Sequence, residues 1–142
     1  MQVVPQLDAG PILDFETVEI GASETGSSLR EKLADACFPL ILRSLPRIFS
    51  GELAPTAQDS SDATFCRKLL KSDGRLDFSL SAVELERRIR AFSTWPGSFF
   101  LDRGSAIRVG RAKVTENFKD LKAGQLHADE GAGLLQIGRA HV

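Results

Sequence analysis

Residues Asp77 to Gly97 read DFSLSAVELERRIRAFSTWPG, and this stretch decides how the second half of the chain folds. Ser81-Ala82-Val83-Glu84 has the wording of a capping box. The serine hydroxyl satisfies a free backbone N–H at a helix start, and the glutamate three residues on reaches back to the cap. Leu85, Ile89 and Phe92 then recur at spacings of four and three, one apolar stripe of an amphipathic helix. Arg87, Arg88 and Arg90 fall off that stripe, so they are expected to face outward or to face a partner. Trp95-Pro96-Gly97 stops the helix, because proline has no amide to donate and glycine frees the backbone for a turn. Taken alone, a well-capped surface helix accounts for all of this.

Working outward toward the C-terminus, Ser98-Phe99-Phe100-Leu101, Asp102-Arg103-Gly104 and Ala106-Ile107-Arg108-Val109 predict a hairpin with a glycine turn. Ala112-Lys113-Val114 alternates as well and is expected to extend the second strand past a bulge at Gly110. On the other side, Gly74 turns the chain and Leu76 to Phe78 is a short strand. Ala63 to Leu70 is a short connector. Glu52 to Asp62, ELAPTAQDSSD, is polar and poor in apolar residues, and reads as a linker. Before it, Leu29, Leu33, Ala36 and Cys37 make one helical apolar face after caps at Ser23 to Gly26. Leu40, Ile41, Leu45, Ile48 and Phe49 make a second, with Gly51 closing it. Pro39 is expected to break or kink the helix between the two sets, and Pro46 argues against one straight helix. Pro11 to Ile20 reads as extended, Pro5 to Gly10 as a loop, and Gln2-Val3-Val4 as the end of a strand paired elsewhere.

A chain of 142 residues, 42% hydrophobic and 26% charged, holds one ordinary domain or parts of two and has a globular composition. No run of eighteen apolar residues and no secretory signal is visible, so the expected location is the cytoplasm. Cys37 and Cys66 stand apart without Cys/His spacing, which predicts ordinary thiols and no metal site. The net charge of −1 conceals an asymmetry. Residues 1–62 carry four basic against ten acidic side chains, and residues 63–142 carry fourteen against nine, giving −6 and +5. The basic half is able to attract a polyanion, although asymmetry of this size also arises by drift.

The wording adds what composition does not. Asp-Phe-Ser, then Ser-Ala, then Ile89-Arg90-Ala91-Phe92-x-x-Trp95-Pro96-Gly97 resembles the opening of the C-terminal domain in the methionyl-tRNA formyltransferase family. Gln6-Leu7-Asp8-Ala9-Gly10-Pro11-Ile12-Leu13 resembles the family's segment around its catalytic aspartate. Between them Gln58-Asp59, Ala63-Thr64-Phe65 and Lys68-Leu69-x-Lys71-x-Asp73-Gly74 fall in the family's order. The resemblance covers Met1 to about Ala112. It implies an α/β chain: the tail of a Rossmann-like formyltransferase domain over residues 1–51, a linker over 52–69, and the incomplete start of an OB-like β-barrel over 70–135. In this register Met1 falls on an internal position. The last residues, 136–142, resemble a translated short-read sequencing adapter and are expected to be an artefact.

The implied reaction moves a formyl group from 10-formyltetrahydrofolate to the α-amine of methionine on initiator tRNA. In the family an asparagine, a histidine and an aspartate share the chemistry. Asp8 matches the aspartate, whose implied role is to hold and polarise the histidine and help accept the amine's proton. Without the resemblance Asp8 reads as a turn aspartate bonding its own backbone. The asparagine and histidine belong to an Asn-x-His-x-Ser-Leu-Leu-Pro motif that does not occur in this sequence. His127 reads as a barrel or surface histidine, and no residue is assigned to the folate. For tRNA the candidates are Lys68 and Lys71, beside the linker, and Arg90 within the matching motif, where ion pairing is the alternative. Phe92 and Trp95 are weighed as base-stacking residues, with a core role favoured. The implied protein is a monomer without a membrane partner, and the fragment is expected to be inactive and poorly stable alone. Two other assignments stand beside it: a non-catalytic RNA-binding module, and another formyl-folate enzyme, either a sugar-amine formyltransferase or a formyl-folate hydrolase.

Overall fold

The computed structural model describes residues 1–114 and the backbone of two further strands over 126–129 and 134–137. The element order is α1 (Gly26–Phe49), two 3₁₀ turns (Ser60–Asp62 and Lys71–Gly74), α2 (Ala82–Ala91), β1 (Ser98–Asp102), β2 (Ser105–Val109), β3 (Leu126–Asp129) and β4 (Leu134–Ile137). The chain divides into two compact units. One is Met1–Ala22 with Ser28–Lys68, the other Ser23–Ser27 with Leu69–Val142.

In the second unit the expected helix forms with its cap. Ser81 Oγ accepts from the Glu84 amide at 3.2 Å, and the Ser81 amide donates to Glu84 Oε2 at 3.0 Å. The Ser81 hydroxyl and amide hold the Glu84 carboxyl below its ordinary value. The stripe turns inward: Ile89 is buried with Leu76 and Phe100, and Leu85, Phe78, Ile107 and Val109 pack around them. Phe78 meets Phe100 edge to face, ring centroids 5.7 Å apart. The hairpin pairs Ser98 with Val109 through Asp102 with Ser105. Its two turn residues, Arg103 and Gly104, both have positive φ, 46° and 84°. That is the turn whose twist matches a two-residue hairpin.

Several details depart from expectation. Leu76–Phe78 is not a strand: Arg75 makes an isolated parallel bridge with Phe99, and the Leu76 amide donates to the Phe99 carbonyl at 2.8 Å. Gly74 sits there because a side chain has no room, a Cβ falling 2.0 Å from the Gly97 carbonyl oxygen. β2 ends at Val109, and Ala112-Lys113-Val114 forms no strand. Described strands make two separate two-stranded sheets. Residues 138–142 of the expected artefact, and the side chain of His127, lie outside the described residues.

In the first unit α1 runs unbroken through Pro39 and Pro46. The two prolines are seven residues apart and so lie within about 20° of one another around the helix. The carbonyls left without a donor belong to Asp35 and Leu42, both exposed, where solvent can stand in for the lost amide. Most of the apolar face is uncovered: Leu33, Phe38, Ile41, Leu42, Leu45 and Phe49 are exposed, Phe49 by 83%. Pro11 to Ile20, expected to be extended, forms no strand beyond the isolated bridge of Ile12 with Thr56, and is tied to α1 by polar groups. Asp14 Oδ2 accepts from Ser44 Oγ at 2.6 Å and from Arg43 Nε at 3.2 Å, and Arg43 also pairs with Glu16 and donates to the Phe15 carbonyl. The Ser44 hydroxyl, then Arg43 and the Phe15 amide, bring the Asp14 carboxyl down to about 2.

Candidate functional site

Asp8 lies in an exposed turn with a left-handed backbone, φ 54°. This conformation is uncommon for a residue with a side chain, although aspartate tolerates it better than most. The loop around it is closed at several points. The Gln2 amide donates to the Pro11 carbonyl at 2.9 Å, and Ile12 and Thr56 exchange both backbone bonds at 2.8 Å. Gly10 is buried against Gln2, whose carbonyl oxygen would stand 1.8 Å from a Cβ at that position. Glycine is therefore required by contact.

The fourth tie is a side chain. Gln58 Nε2 donates to the Asp8 carbonyl at 2.8 Å and to the Gly10 carbonyl at 2.7 Å. Thr56 and Gln58 belong to the stretch that reads as a linker, yet here its first half is fastened to the loop. Nothing in the local sequence gives Gln58 a role. The signal was present, because Gln58-Asp59 is one of the segments carrying the family resemblance, but a contact across fifty residues has no local signature. Past it, Asp59 Oδ1 caps the 3₁₀ turn through the Ser61 amide and hydroxyl, which lower its carboxyl.

Of the basic candidates, Lys68 and Lys71 are exposed. Lys68 closes the first unit in sequence, and Lys71 opens a 3₁₀ turn of the second. Two of the helix arginines do not face outward as expected. Arg90 is 22% exposed, and its Nε donates to Glu86 Oε1 at 2.6 Å. Its Nη1 donates to the Glu24 carbonyl, also at 2.6 Å. Arg88 donates to the Asp73 carbonyl at 3.0 Å and lies over the Phe92 ring, 5.4 Å from its centre. Arg87 alone of the three is exposed. Trp95, for which the sequence favours a core role over base stacking, is instead 54% exposed. No His, Cys, Asp and Glu grouping suited to a metal ion occurs among the described residues, and no described helix is long and apolar enough to cross a membrane.

Comparison with known proteins gives this geometry a family. The model described as "Formyl transferase, C-terminal domain" matches residues 68–140. A methionyl-tRNA formyltransferase of Lachnospira eligens is 37% identical over 122 residues, 86% of this chain and 39% of that protein. One from Chloroflexus aurantiacus is 35% identical over 140 residues, 97% of this chain and 45% of that protein. One from Myxococcus xanthus reaches 43% identity over 108 residues, 76% of this chain and 35% of that protein. The chain thus spans less than half the length of these relatives. Among solved structures, HypX from Aquifex aeolicus superposes with a TM-score of 0.69 at 20% identity, over 96% of this chain and 25% of that one. A likely sugar N-formyltransferase from Mycobacterium tuberculosis gives 0.65 at 20% identity, over 82% of this chain and 52% of that one. At such identity these two likenesses concern the fold alone.

Proposed function

This chain belongs to the formyl transferase C-terminal-domain family, and on that premise we propose that it is part of a methionyl-tRNA formyltransferase, transferring the formyl group of 10-formyltetrahydrofolate to the α-amine of methionine on initiator tRNA. The observation that carries this assignment is that likeness to curated enzymes of that name runs through both units, reaching 97% of the chain. In this assignment residues 1–51 are the tail of a Rossmann-like domain, whose remaining sheet covers the apolar face of α1. Residues from 70 onward begin an OB-like barrel.

Asp8 is then the carboxylate of the reacting centre. The attacking amine must be uncharged, and the tetrahedral intermediate needs a hydrogen-bond donor for its developing oxyanion. An aspartate serves the first need by holding a histidine in the tautomer and orientation that accept the amine's proton. That histidine and the donor asparagine are not supplied by any Asn-x-His-x-Ser-Leu-Leu-Pro motif of this sequence. The chain alone therefore turns nothing over. Exposed Lys68 and Lys71 take phosphates of the tRNA, supplying affinity without base selection. Arg90, committed to Glu86 and the Glu24 carbonyl, serves α2 in place of the RNA contact expected from its motif.

The test is a formyl-transfer assay on the chain alone and on the chain fused behind the amino-terminal part of the Lachnospira eligens relative. Transfer by the fusion only, abolished by Asp8→Asn, supports the assignment. Turnover by the chain alone, or a fusion indifferent to Asp8→Asn, overturns it. For the RNA contacts, replacing Lys68 and Lys71 by alanine should lower the slope of log affinity against log salt by about 0.7–0.9 per lost phosphate contact.

A further inference from the structure

We propose that Gln58 is the positioning residue of the Asp8 loop: its carboxamide, reaching over from the stretch after Thr56, sets the backbone from which the Asp8 carboxylate is presented. The role rests on the formyltransferase assignment above. The two close partners of Nε2 are backbone carbonyls, at 2.8 Å and 2.7 Å, with the Met1 sulfur farther off at 4.0 Å, so the amide must direct its NH₂ group at the carbonyls. The two carbonyls belong to the Asp8–Ala9 and Gly10–Pro11 peptides. A single side chain thereby fixes the peptides at both ends of Ala9-Gly10, immediately after the left-handed turn at Asp8. A backbone in that region persists only where its surroundings over-determine it. The other ties, Gln2 with Pro11 and Ile12 with Thr56, close the loop at its base and do not touch Asp8. Gln58 is the contact that reaches the carboxylate's own residue. Its side chain neither meets the reacting atoms nor titrates, so it acts on the reaction through placement.

The chemistry of the amide dictates the test. Gln58→Glu keeps size and shape but replaces both donors with acceptors facing two carbonyls, whereas Gln58→Lys changes the shape and keeps donors. The first readout is nuclear magnetic resonance of the full chain, which reports the short amide-to-Hα distance of a left-handed Asp8 and the exchange of neighbouring amides. The Glu84 amide, capped by Ser81, serves as the control for folding. Gln58→Glu should abolish the left-handed signature and speed exchange of the Gln2 amide by about tenfold or more, with Glu84 unchanged. The second readout is kcat and KM in the fusion described above. Misplacing a catalytic group by about 1 Å costs on the order of 10²-fold. Gln58→Glu should therefore lower kcat by that order with little change in KM for the tRNA, and Gln58→Lys should recover much of the loss.

An Asp8 backbone unaltered by Gln58→Glu overturns the proposal, as does a Gln58→Lys variant no better than Gln58→Glu in kcat. If the loop responds but Asp8→Asn leaves kcat intact, the formyltransferase role of Asp8 falls and takes the positioning role with it. The changed loop signature then distinguishes that failure from a clamp that does not exist.

Discussion

Among the described residues, the second unit buries three large apolar side chains, Leu76, Ile89 and Phe100, each at most 6% exposed, whereas in the first the buried residues are Gly10 and Ser44. One unit is held by apolar packing between a capped helix and a hairpin. The other is held by hydrogen bonds, Asp14 with Ser44 and Arg43 on one side and Gln58 with the Asp8 loop on another, while α1 shows its apolar face to solvent. Polar ties fix geometry well but contribute little net stability, about 1 kcal/mol for a neutral bond, while each buried large apolar side chain contributes roughly 1.5–3 kcal/mol. The second unit thus closes a core of its own, and the first supplies an ordered loop and an exposed apolar helix face.

The sharpest way to break this contrast is a pair of alanine substitutions. Phe100→Ala should cost about 3–5 kcal/mol, the usual loss for a buried phenylalanine. Leu42→Ala, on a residue 60% exposed, should change stability by no more than about 0.5 kcal/mol. Urea unfolding followed by circular dichroism measures both, and equal costs would erase the distinction. Gly74→Ala comes next: its Cβ meets the Gly97 carbonyl oxygen, so about 1–3 kcal/mol should be lost by the same measurement. Ser81→Ala removes one half of the α2 cap and should cost about 1 kcal/mol. Unfolding within 0.3 kcal/mol of wild type would show, on that roughly 1 kcal/mol scale, that the cap is ornamental.

The smallest effect concerns the polar unit and acid. Asp14 titrates at about 2, below its ordinary 3.8, because Ser44 and then Arg43 bond its ionised form. A lowered carboxylate stabilises the folded state above its unfolded value, and that contribution fades as pH falls through about 4 toward 2. Carboxyl-carbon resonances followed against pH should show Asp14 titrating late, and Ser44→Ala should move it back toward 3.8. An unmoved midpoint in that variant would assign the shift to another cause.

What was legible in the sequence follows the same division. The α2 cap, its stripe and the hairpin turn depend on residues within a few positions of one another, and each formed as its spacing implied. The unbroken α1 was not legible, because whether a proline breaks a helix depends on what else can satisfy the bereft carbonyls. Nor were the inward turns of Arg88 and Arg90, whose partners at Asp73 and Glu24 lie 15 and 66 residues away. Asp8 could be named from its motif, but not the side chain that holds it. The exposure of Trp95 depends on where the chain goes after α2, which no periodicity encodes.

The grip of Gln58 also has a consequence for the order in which the molecule assembles. Its bonds join residues 48 and 50 positions apart, so the chain must close a loop of that size before either bond rewards it. The hairpin from Ser98 to Val109 closes over a two-residue turn, an event of microseconds. Contacts of high sequence separation are the slow ones in folding, so on refolding of the whole chain the loop carrying Asp8 is expected to take its shape after the hairpin and α2. In a newly made chain the carboxylate is ordered only once the stretch through Gln58 has folded back.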